Sequence, residues 1–343
     1  MTERVIDAQK MMPVPKPRER LGFLQRNPGL RAPLGLIVPL ILLVVLITLI
    51  NPAFLSGRNL FNVYRQISIF LVLGAGMTIV ISGRGIDLSV GSTVALSACV
   101  TGLILKANLP ALEVPLAIMG GVGVGAVVGV VNGVFVTFFK VPPLITTLGT
   151  LTAVRGAAYL VMGPNLVRNF PDSFLWLTRG EIFGLPVAGI IATAIVLACA
   201  FILTLTPFGR YILALGGNRS AAIRAGVRVW KYELGSYVLC GALAGFAGVM
   251  LASRLNAAQA VLGAMMELHA IAVVVLGGTY LFGGFATLLG TFLGAVFLGV
   301  AENGLVLMEV PFYWQQVVIG LALVVAVAIQ LYRFRRQGMT TTE

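Results

Sequence analysis

Long apolar runs separated by short polar segments make up most of the chain. Each run is about 17 to 25 residues long, the length of a helix that crosses roughly 30 Å of hydrocarbon. The strands of a membrane barrel would be shorter and would alternate apolar with polar residues. The pattern therefore predicts an all-α integral membrane protein.

The individual runs predict ten transmembrane helices. Those of the first half span residues 34–50, 62–82, 86–106, 115–139 and 144–162. Those of the second half span residues 186–206, 235–255, 267–282, 285–308 and 313–332. Because the number is even, we expect both ends of the chain on the same side of the membrane.

The distribution of charge supports this organisation. Only 10% of the residues are charged, and the Lys and Arg residues that give the net charge of +12 lie between apolar runs. We therefore expect membrane lipid around the chain and no nucleic acid. With the N-terminus inside, the outer segments hold only Arg58, Arg65, Lys106, Arg168, Arg179 and Arg254. Most other Lys and Arg residues then lie inside, which predicts that both termini are cytoplasmic.

Three parts of the chain follow from these segments. We expect a basic cytoplasmic arm at residues 1–33, a transmembrane domain at 34–332 with a cytoplasmic loop at 207–233, and a cytoplasmic tail at 333–343. No small-residue cleavage site follows the first apolar run, which predicts a retained helix. Cys99, Cys199 and Cys240 lie within predicted helices without CxxC spacing, which indicates small buried side chains rather than disulfides or metal ligands.

Two segments of the chain resemble each other. "GAVVGVVNG" at residues 125–133 and "GAVFLGVAENG" at 294–304 occupy the fourth predicted helix of each five-helix half. Since five is odd, the second half would be inverted relative to the first, as in many transporters. The alternative is that Gly and Ala recur wherever membrane helices pack closely.

The stretch "SGRGIDLSVGS" at residues 82–92 places charges between two apolar runs. Its glycines let the backbone leave helical geometry, which is tolerated at membrane depth only inside the protein. One interpretation is therefore a broken segment facing the interior, with Asp87 held by local amides or by Arg84. The other is a cytoplasmic turn in which Arg84 extends toward water and Asp87 caps a helix beginning near Leu88.

The basic loop after the sixth predicted helix has helix signals of its own. Asn218 is a suitable N-cap, residues 220–225 are compatible with a helix, and Gly226 suits the C-terminal cap. This pattern favours a short cytoplasmic helix that docks on another protein. The alternative is a positive anchor for anionic lipid headgroups.

Several polar residues fall within apolar runs. Arg155, Glu302 and Asn303 could line a transport route or form structural contacts, and Arg155, Glu302 or Asp87 could serve an ion-coupled secondary transporter. His269 has no partner set for a metal site or for catalysis, which argues against an enzyme. No GxxxxGK[ST] loop occurs, so we expect no cofactor bound by this chain, and any ATP would be bound by another chain.

Four motifs together resemble the ribose-type sugar permeases of bacterial ATP-binding cassette importers. They are "GIDLSVGS" at residues 85–92, "TPFGRYILALGGNRSAAIRAGV" at 206–227, "AIAVVVLGGTYLFGG" at 270–284 and "GTFLGAVFLGVAENGL" at 290–305. The resemblance implies an inner-membrane permease with no enzymatic activity of its own, which works as a dimer. Its partners would be cytoplasmic ATPase subunits that use ATP and a periplasmic protein that delivers a monosaccharide.

The resemblance also implies roles for particular residues. The ATPase-coupling residues would be Gly216, Gly217, Asn218, Arg219, Ala221, Ala222, Arg224 and Gly226. The translocation path would include Gly85, Asp87, Leu88, Ser89, Gly91 and Asn303. Residues 165–179 and 256–265 would contact the sugar-binding protein. The chain departs from the family pattern at Arg84, where a short glycine pair is usual, and at His269, where a carboxylate is usual.

Overall fold

The computed structural model describes residues 28–107 and 112–336 of the chain. The part of the predicted arm at 1–27 and the part of the predicted tail at 337–343 lie outside the described residues. Within the described residues the chain is helical almost throughout, with four strands of two residues each. The all-α prediction is confirmed.

Thirteen α-helices form in the described part of the chain. The first seven are α1 Pro28–Ile50, α2 Gly57–Ser82, α3 Val90–Leu105, α4 Glu113–Thr137, α5 Pro143–Met162, α6 Asp172–Arg179 and α7 Val187–Leu205. The others are α8 Pro207–Gly217, α9 Arg219–Arg224, α10 Val229–Leu255, α11 Met266–Leu276, α12 Leu288–Leu307 and α13 Phe312–Arg336. A 3₁₀ helix, Pro52–Leu55, links α1 to α2.

The four strands form two small antiparallel pairs outside the helices. Strand β1, Val167–Arg168, pairs with β4, Ala257–Ala258. Strand β2, Glu181–Ile182, pairs with β3, Leu185–Pro186. The first pair joins the segment after α5 to the segment after α10.

Each of the ten predicted runs coincides with a helix over most of its length, but six of the described helices have both the length and the composition to cross a membrane. They are α2, α4, α5, α7, α10 and α12. Three apolar helical stretches are shorter: 34–50 of α1, α3 and α11. The count of ten crossings and the inverted halves remain predictions.

Two predicted boundaries are wrong for a common reason. The third run begins as a helix at Val90 rather than at 86, and the eighth ends at Leu276 rather than at 282. Residues 83–89 and 277–287 are instead non-helical. Hydropathy locates apolar segments, but it does not show where a residue at positive φ takes the backbone out of the helix, as Arg84 does at +67° and Gly278 at +87°.

Helix α11 is preceded by a segment that folds back along α3. At the C-terminal end of α3, a Cβ on Gly102 would lie 2.7 Å from the Ala258 Cβ. At the N-terminal end, a Cβ on Gly91 would lie 2.5 Å from the Gly263 carbonyl oxygen. Residues 256–265 therefore run antiparallel to α3, and the eleven residues of α11 extend only about 16 Å beyond them.

Helix α2 is the centre of the core. Every residue from 67 to 82 is buried. The helices around it are α7, α8, α10, α11 and α12. Because an apolar helix that is buried on all sides must be covered by other helices, α2 organises the fold.

Helices α4 and α10 are in direct backbone contact. A Cβ on Gly125 would collide with the Gly241 carbonyl oxygen, and a Cβ on Gly129 would collide with the Tyr237 carbonyl oxygen. Gly241 and Gly245 face α4 in the same way. Small residues that bring two backbones together are the usual contact between membrane helices.

The glycines of the second resembling segment also contact neighbouring helices. Gly294 lies against the backbone of Val273, Gly299 against Ile67 and Gly304 against Ile47. The glycines of both segments thus have packing roles. Close helix packing, the alternative explanation for the similarity of the two segments, therefore accounts for their glycines.

We expect Gly125→Leu to destabilise the protein strongly, because the α4–α10 contact leaves no space for a side chain. Overpacking of this kind costs about 1–3 kcal/mol or more. Heating detergent-solubilised protein and measuring the monodisperse fraction by size-exclusion chromatography checks this. Gly123→Leu is the matched control, since Gly123 lies on the same helix with nothing within 4 Å. Equal loss in both variants would contradict the packing argument.

Candidate functional site

The non-helical segment 83–89 between α2 and α3 buries a carboxylate. Asp87 is 1% exposed. Its Oδ1 accepts hydrogen bonds from the Ser89 backbone N–H at 2.9 Å, from the Ser89 hydroxyl at 2.6 Å and from the Asn132 amide at 3.2 Å. These neutral donors satisfy the acceptor within the protein.

The polar contacts of Asp87 extend to two more helices. Asn132 of α4 also donates to the Ser89 hydroxyl at 2.8 Å, and Thr150 of α5 donates to the Asn132 side-chain oxygen at 2.6 Å. Thr147 of α5 donates to the backbone carbonyl of Ile86 at 3.3 Å. Helices α4 and α5 thus supply donors to a segment that has left helical geometry.

Of the two partners proposed for Asp87, the local amide is correct and Arg84 is wrong. Arg84 donates instead to the backbone carbonyls of Gly216, Phe282 and Gly217. The capping alternative also fails, because α3 begins at Val90 with Ser89 as its N-cap and no side-chain cap bond forms. Segment 83–89 is thus a non-helical stretch in which Asp87 is buried, as the first interpretation expects, and Arg84 is exposed, as the second expects.

The predicted path residues fall into two groups. Gly85 lies against Tyr237, where a Cβ would come within 2.7 Å of the phenol oxygen, and Gly91 lies against Gly263 and Glu267. Asp87, Leu88 and Ser89 lie between them in the chain. Asn303 is elsewhere: its side chain exchanges hydrogen bonds of 2.8 and 3.0 Å with Asn59. Because Asn59 and Ser82 lie near opposite ends of α2, roughly 35 Å separates these two groups.

Glu302 and His269 form a buried pair between α12 and α11. The His269 Nε2 lies 3.0 Å from Glu302 Oε1, and Gln66 of α2 donates to Glu302 Oε2 at 2.7 Å. The His269 Nδ1 lies 2.9 Å from the Met265 carbonyl oxygen, and its ring stacks on Phe70 at 5.2 Å. His269 thus joins three helices, and its contacts are those of a structural polar cluster.

Arg155 anchors the segment that runs beside α3. Its Nη1 donates to the carbonyl oxygens of Ala260 and Leu262, each at 2.7 Å. A cation that satisfies carbonyls of irregular backbone replaces the water that such backbone would otherwise require. Asp87, Arg155 and Glu302 therefore have separate partners, and the described contacts do not join them in one ion-binding cluster.

The predicted cytoplasmic helix forms as α9. The Asn218 side-chain oxygen accepts from the Ala221 N–H at 2.8 Å, which confirms the N-cap. Gly226 has φ +81° and closes the helix by donating from its N–H to the Ile223 carbonyl at 2.9 Å. Arg219 pairs with Glu233 at 3.0 Å, and Ala222 is buried, whereas Ile223 and Arg224 are exposed. One boundary differs, because Gly216 and Gly217 end α8 rather than opening α9.

Several residues of this site were not singled out from the sequence. They include Asn132, which donates to Asp87, Gln66, which donates to Glu302, and Thr150, which donates to Asn132. The available signal was polarity inside an apolar run, which is unusual enough to suggest a role. In the described part of the chain, no group of three His, Cys, Asp or Glu residues could hold a metal ion. The three cysteines are buried, as expected.

Comparison with known proteins identifies the family. Residues 59–327 match the family model described as "Branched-chain amino acid transport system / permease component". The ribose import permease protein of Bacillus subtilis is 39% identical over 88% of this chain and 93% of its own length. That of Haemophilus influenzae is 37% identical over 86% of this chain and 92% of its own length.

A relative with a different named sugar is also similar. The D-allose transport system permease protein of Escherichia coli is 36% identical over 80% of this chain and 84% of its own length. No solved structure matches the chain. The chain belongs to the family of branched-chain amino acid transport system permease components, and it is a multi-pass membrane transport component rather than an enzyme.

Proposed function

We propose that this chain is the permease subunit of an ATP-binding cassette importer that moves a monosaccharide across the bacterial inner membrane. The observation that carries the proposal is the similarity to ribose import permeases over 86% and 88% of the chain. The relative named for D-allose transport supports a sugar substrate of the same size class. Ten crossings with both termini in the cytoplasm, in two inverted halves, complete the proposed topology.

The proposed ATPase contact is the helix α9. It is six residues long, closed at both ends by its own caps, and joined to the body through Arg219–Glu233. Its exposed face presents Ile223 and Arg224. A rigid helix end with an apolar side chain and a cation is suited to a groove on a second protein. ATP would be bound and hydrolysed by that partner.

The proposed contact with a periplasmic sugar-binding protein is the surface formed by residues 165–179 and 256–265. Strands β1 and β4 pair these two segments, and the Asn256 side chain accepts from the Phe170 N–H at 2.8 Å. Leu166 and Trp176 are exposed on the first of them. Exposed aromatic and aliphatic side chains on a tied pair of segments are typical of a protein-binding surface.

The proposed translocation path passes the break at 83–89. Segments that leave helical geometry at membrane depth commonly form the substrate site of transporters. Here the break is polar, carries a buried carboxylate and is held by two neighbouring helices. Asp87 would shape the break, because its described hydrogen bonds go to Ser89 and Asn132.

The proposed dimer is supported by helix α5, which is exposed but not very hydrophobic. Of the six long apolar helices, α5 is both the least buried and the least hydrophobic. Helices α4 and α7 are the next least buried, yet they are the two most hydrophobic, as lipid contact requires. The exposed face of α5 carries Gly149, Thr152 and Gly156, and both glycines have nothing within 4 Å. This face is better suited to a second permease copy, across the path, than to lipid.

We expect Gly226→Val to abolish recovery of an ATPase subunit with the detergent-solubilised chain, because valine is strained at φ +81°. Pull-down followed by mass spectrometry measures the co-purifying chains. Gly226→Asn is the matched control, since asparagine tolerates this region. Recovery of the ATPase with Gly226→Val as with the unsubstituted chain would count against α9 as the docking helix.

We expect Asp87→Leu to abolish sugar uptake and to lower thermal stability, since it leaves the donors of Ser89 and Asn132 unpaired. Each unpaired buried donor costs about 1–3 kcal/mol. Asp87→Asn retains a side-chain oxygen and should keep the stability. The two measurements are uptake of radiolabelled D-ribose in proteoliposomes that hold the chain with its co-purified ATPase, ATP and the sugar-binding protein, and the melting temperature in detergent. Equal stability of both variants would contradict the assigned network.

We expect a cysteine at Gly149 to cross-link two copies of the chain. The α5 face is open there, whereas the native cysteines are buried. Treatment of membranes with a short bis-maleimide and denaturing electrophoresis measures the dimer. Val127→Cys is the control, because Val127 is 63% exposed on the more hydrophobic α4. Equal cross-linking at both positions would remove the case for α5.

A further inference from the structure

Arg84 joins three segments of chain that are far apart in sequence. Its Nε donates to the Gly216 carbonyl at 2.7 Å and to the Phe282 carbonyl at 2.9 Å, and its Nη2 donates to the Gly217 carbonyl at 3.2 Å. Arg84 itself belongs to the break at 83–89. Gly216 and Gly217 end α8, and Phe282 belongs to the non-helical segment between α11 and α12.

We propose that Arg84 is the positioning residue that transmits movement of the docking helix α9 to the break that holds Asp87. The inference rests on the proposed function, because it assigns a purpose to the link between an ATPase contact and the path. Only the Asn218 cap separates the Arg84–Gly217 contact from α9. On the other side, Asp87 follows Arg84 by three residues in the same break.

The Arg84 guanidinium lies at the C-terminal end of helix α8. The last carbonyls of a helix have no intrahelical partner and carry the negative end of its dipole, which favours a cation. Arg84 occupies this position on α8. Its described hydrogen bonds go to carbonyls, and Asp87 is bonded elsewhere. The guanidinium therefore serves as a clamp between backbones rather than as half of an ion pair.

The clamp reinforces a contact in which the backbones already touch. A Cβ on Gly216 would collide with the Ser82 carbonyl oxygen, and the Gly284 N–H donates to that same oxygen at 3.0 Å. A Cβ on Gly283, at φ +77°, would lie 2.6 Å from the Arg84 Cγ. The backbones that touch belong to α2, α8 and the segment at 277–287. Among the described hydrogen bonds, those of the Arg84 guanidinium are the ones that tie the break itself to the α8–α9 junction.

The break borders open space. A cavity of about 270 Å³ borders it, and its wall includes Arg84 and Gly85 of the break, Leu215 of α8 and Arg219 of α9. Close-packed interiors resist movement, whereas a segment beside open space can shift without overpacking its neighbours. The break is thus tied to α8 by the Arg84 hydrogen bonds and has open space beside it, which is the arrangement a moving link needs.

The test is hydrogen–deuterium exchange on the complex of this chain with its co-purified ATPase, without nucleotide and after trapping with ATP and vanadate. We expect the amides of 219–226 and of 83–89 both to change exchange rate, the latter by about fivefold or more, as for a coupled pair of sites. In Arg84→Met, 219–226 should still respond, whereas 83–89 should not. Arg84→Lys keeps the cation but loses the planar guanidinium, so the amides of 83–89 should show a reduced change in exchange rate on trapping.

The control is Arg210→Met on the exposed surface of α8, which removes one inner-face cation and should behave as the unsubstituted chain. A purely structural role for Arg84 would lower the yield of complex while 83–89 still responded to trapping. That result would overturn the proposal, as would a break that does not respond in the unsubstituted complex. If Arg84→Met does not assemble, an undiminished response in Arg84→Lys would overturn it. Failure of 219–226 to respond would instead refute the proposed docking function.

Discussion

Backbone groups in a membrane must find hydrogen-bond partners within the protein, and the functional parts of this chain depend on how that requirement is met. Three of the described segments that leave helical geometry are 83–89, 256–265 and 277–287. Each receives a side-chain donor from elsewhere. Thr147 donates to the first, Arg155 to the second and Arg84 to the third. Three of the polar side chains of this apolar protein are therefore used to hold its irregular backbone.

These breaks exist because small residues make space for them. The contact between α4 and α10 through Gly125 and Gly241 brings two backbones together and places Asn132, further along α4, within reach of Asp87. Gly91 and Gly102 make the corresponding space along α3 for segment 256–265. Close packing here is not only a source of stability, since it also decides which polar groups meet.

The proposed mechanism follows from the same features. Helix α9, the proposed docking helix, lies next to the Arg84 contact, and Arg84 ties the end of α8 to the break, which borders a cavity. Outside this chain of contacts, His269 and Glu302 join α11, α12 and α2. The His269–Glu302 cluster stabilises the helices around the break, and its contacts explain a histidine that has no catalytic partners.

The sequence by itself determined the helical membrane class, the approximate helix positions, the caps at Asn218 and Gly226, and the family. These properties are local: a run length, a capping side chain and a glycine at positive φ need only neighbouring residues to be recognised. Tertiary structure alone decided that Asp87 contacts Asn132 rather than Arg84, that Arg155 holds segment 256–265, and that Asn303 lies far from the break. The reason is physical, because a buried polar group binds whichever donor the packing of distant helices brings within about 3 Å, and sequence spacing does not encode that distance.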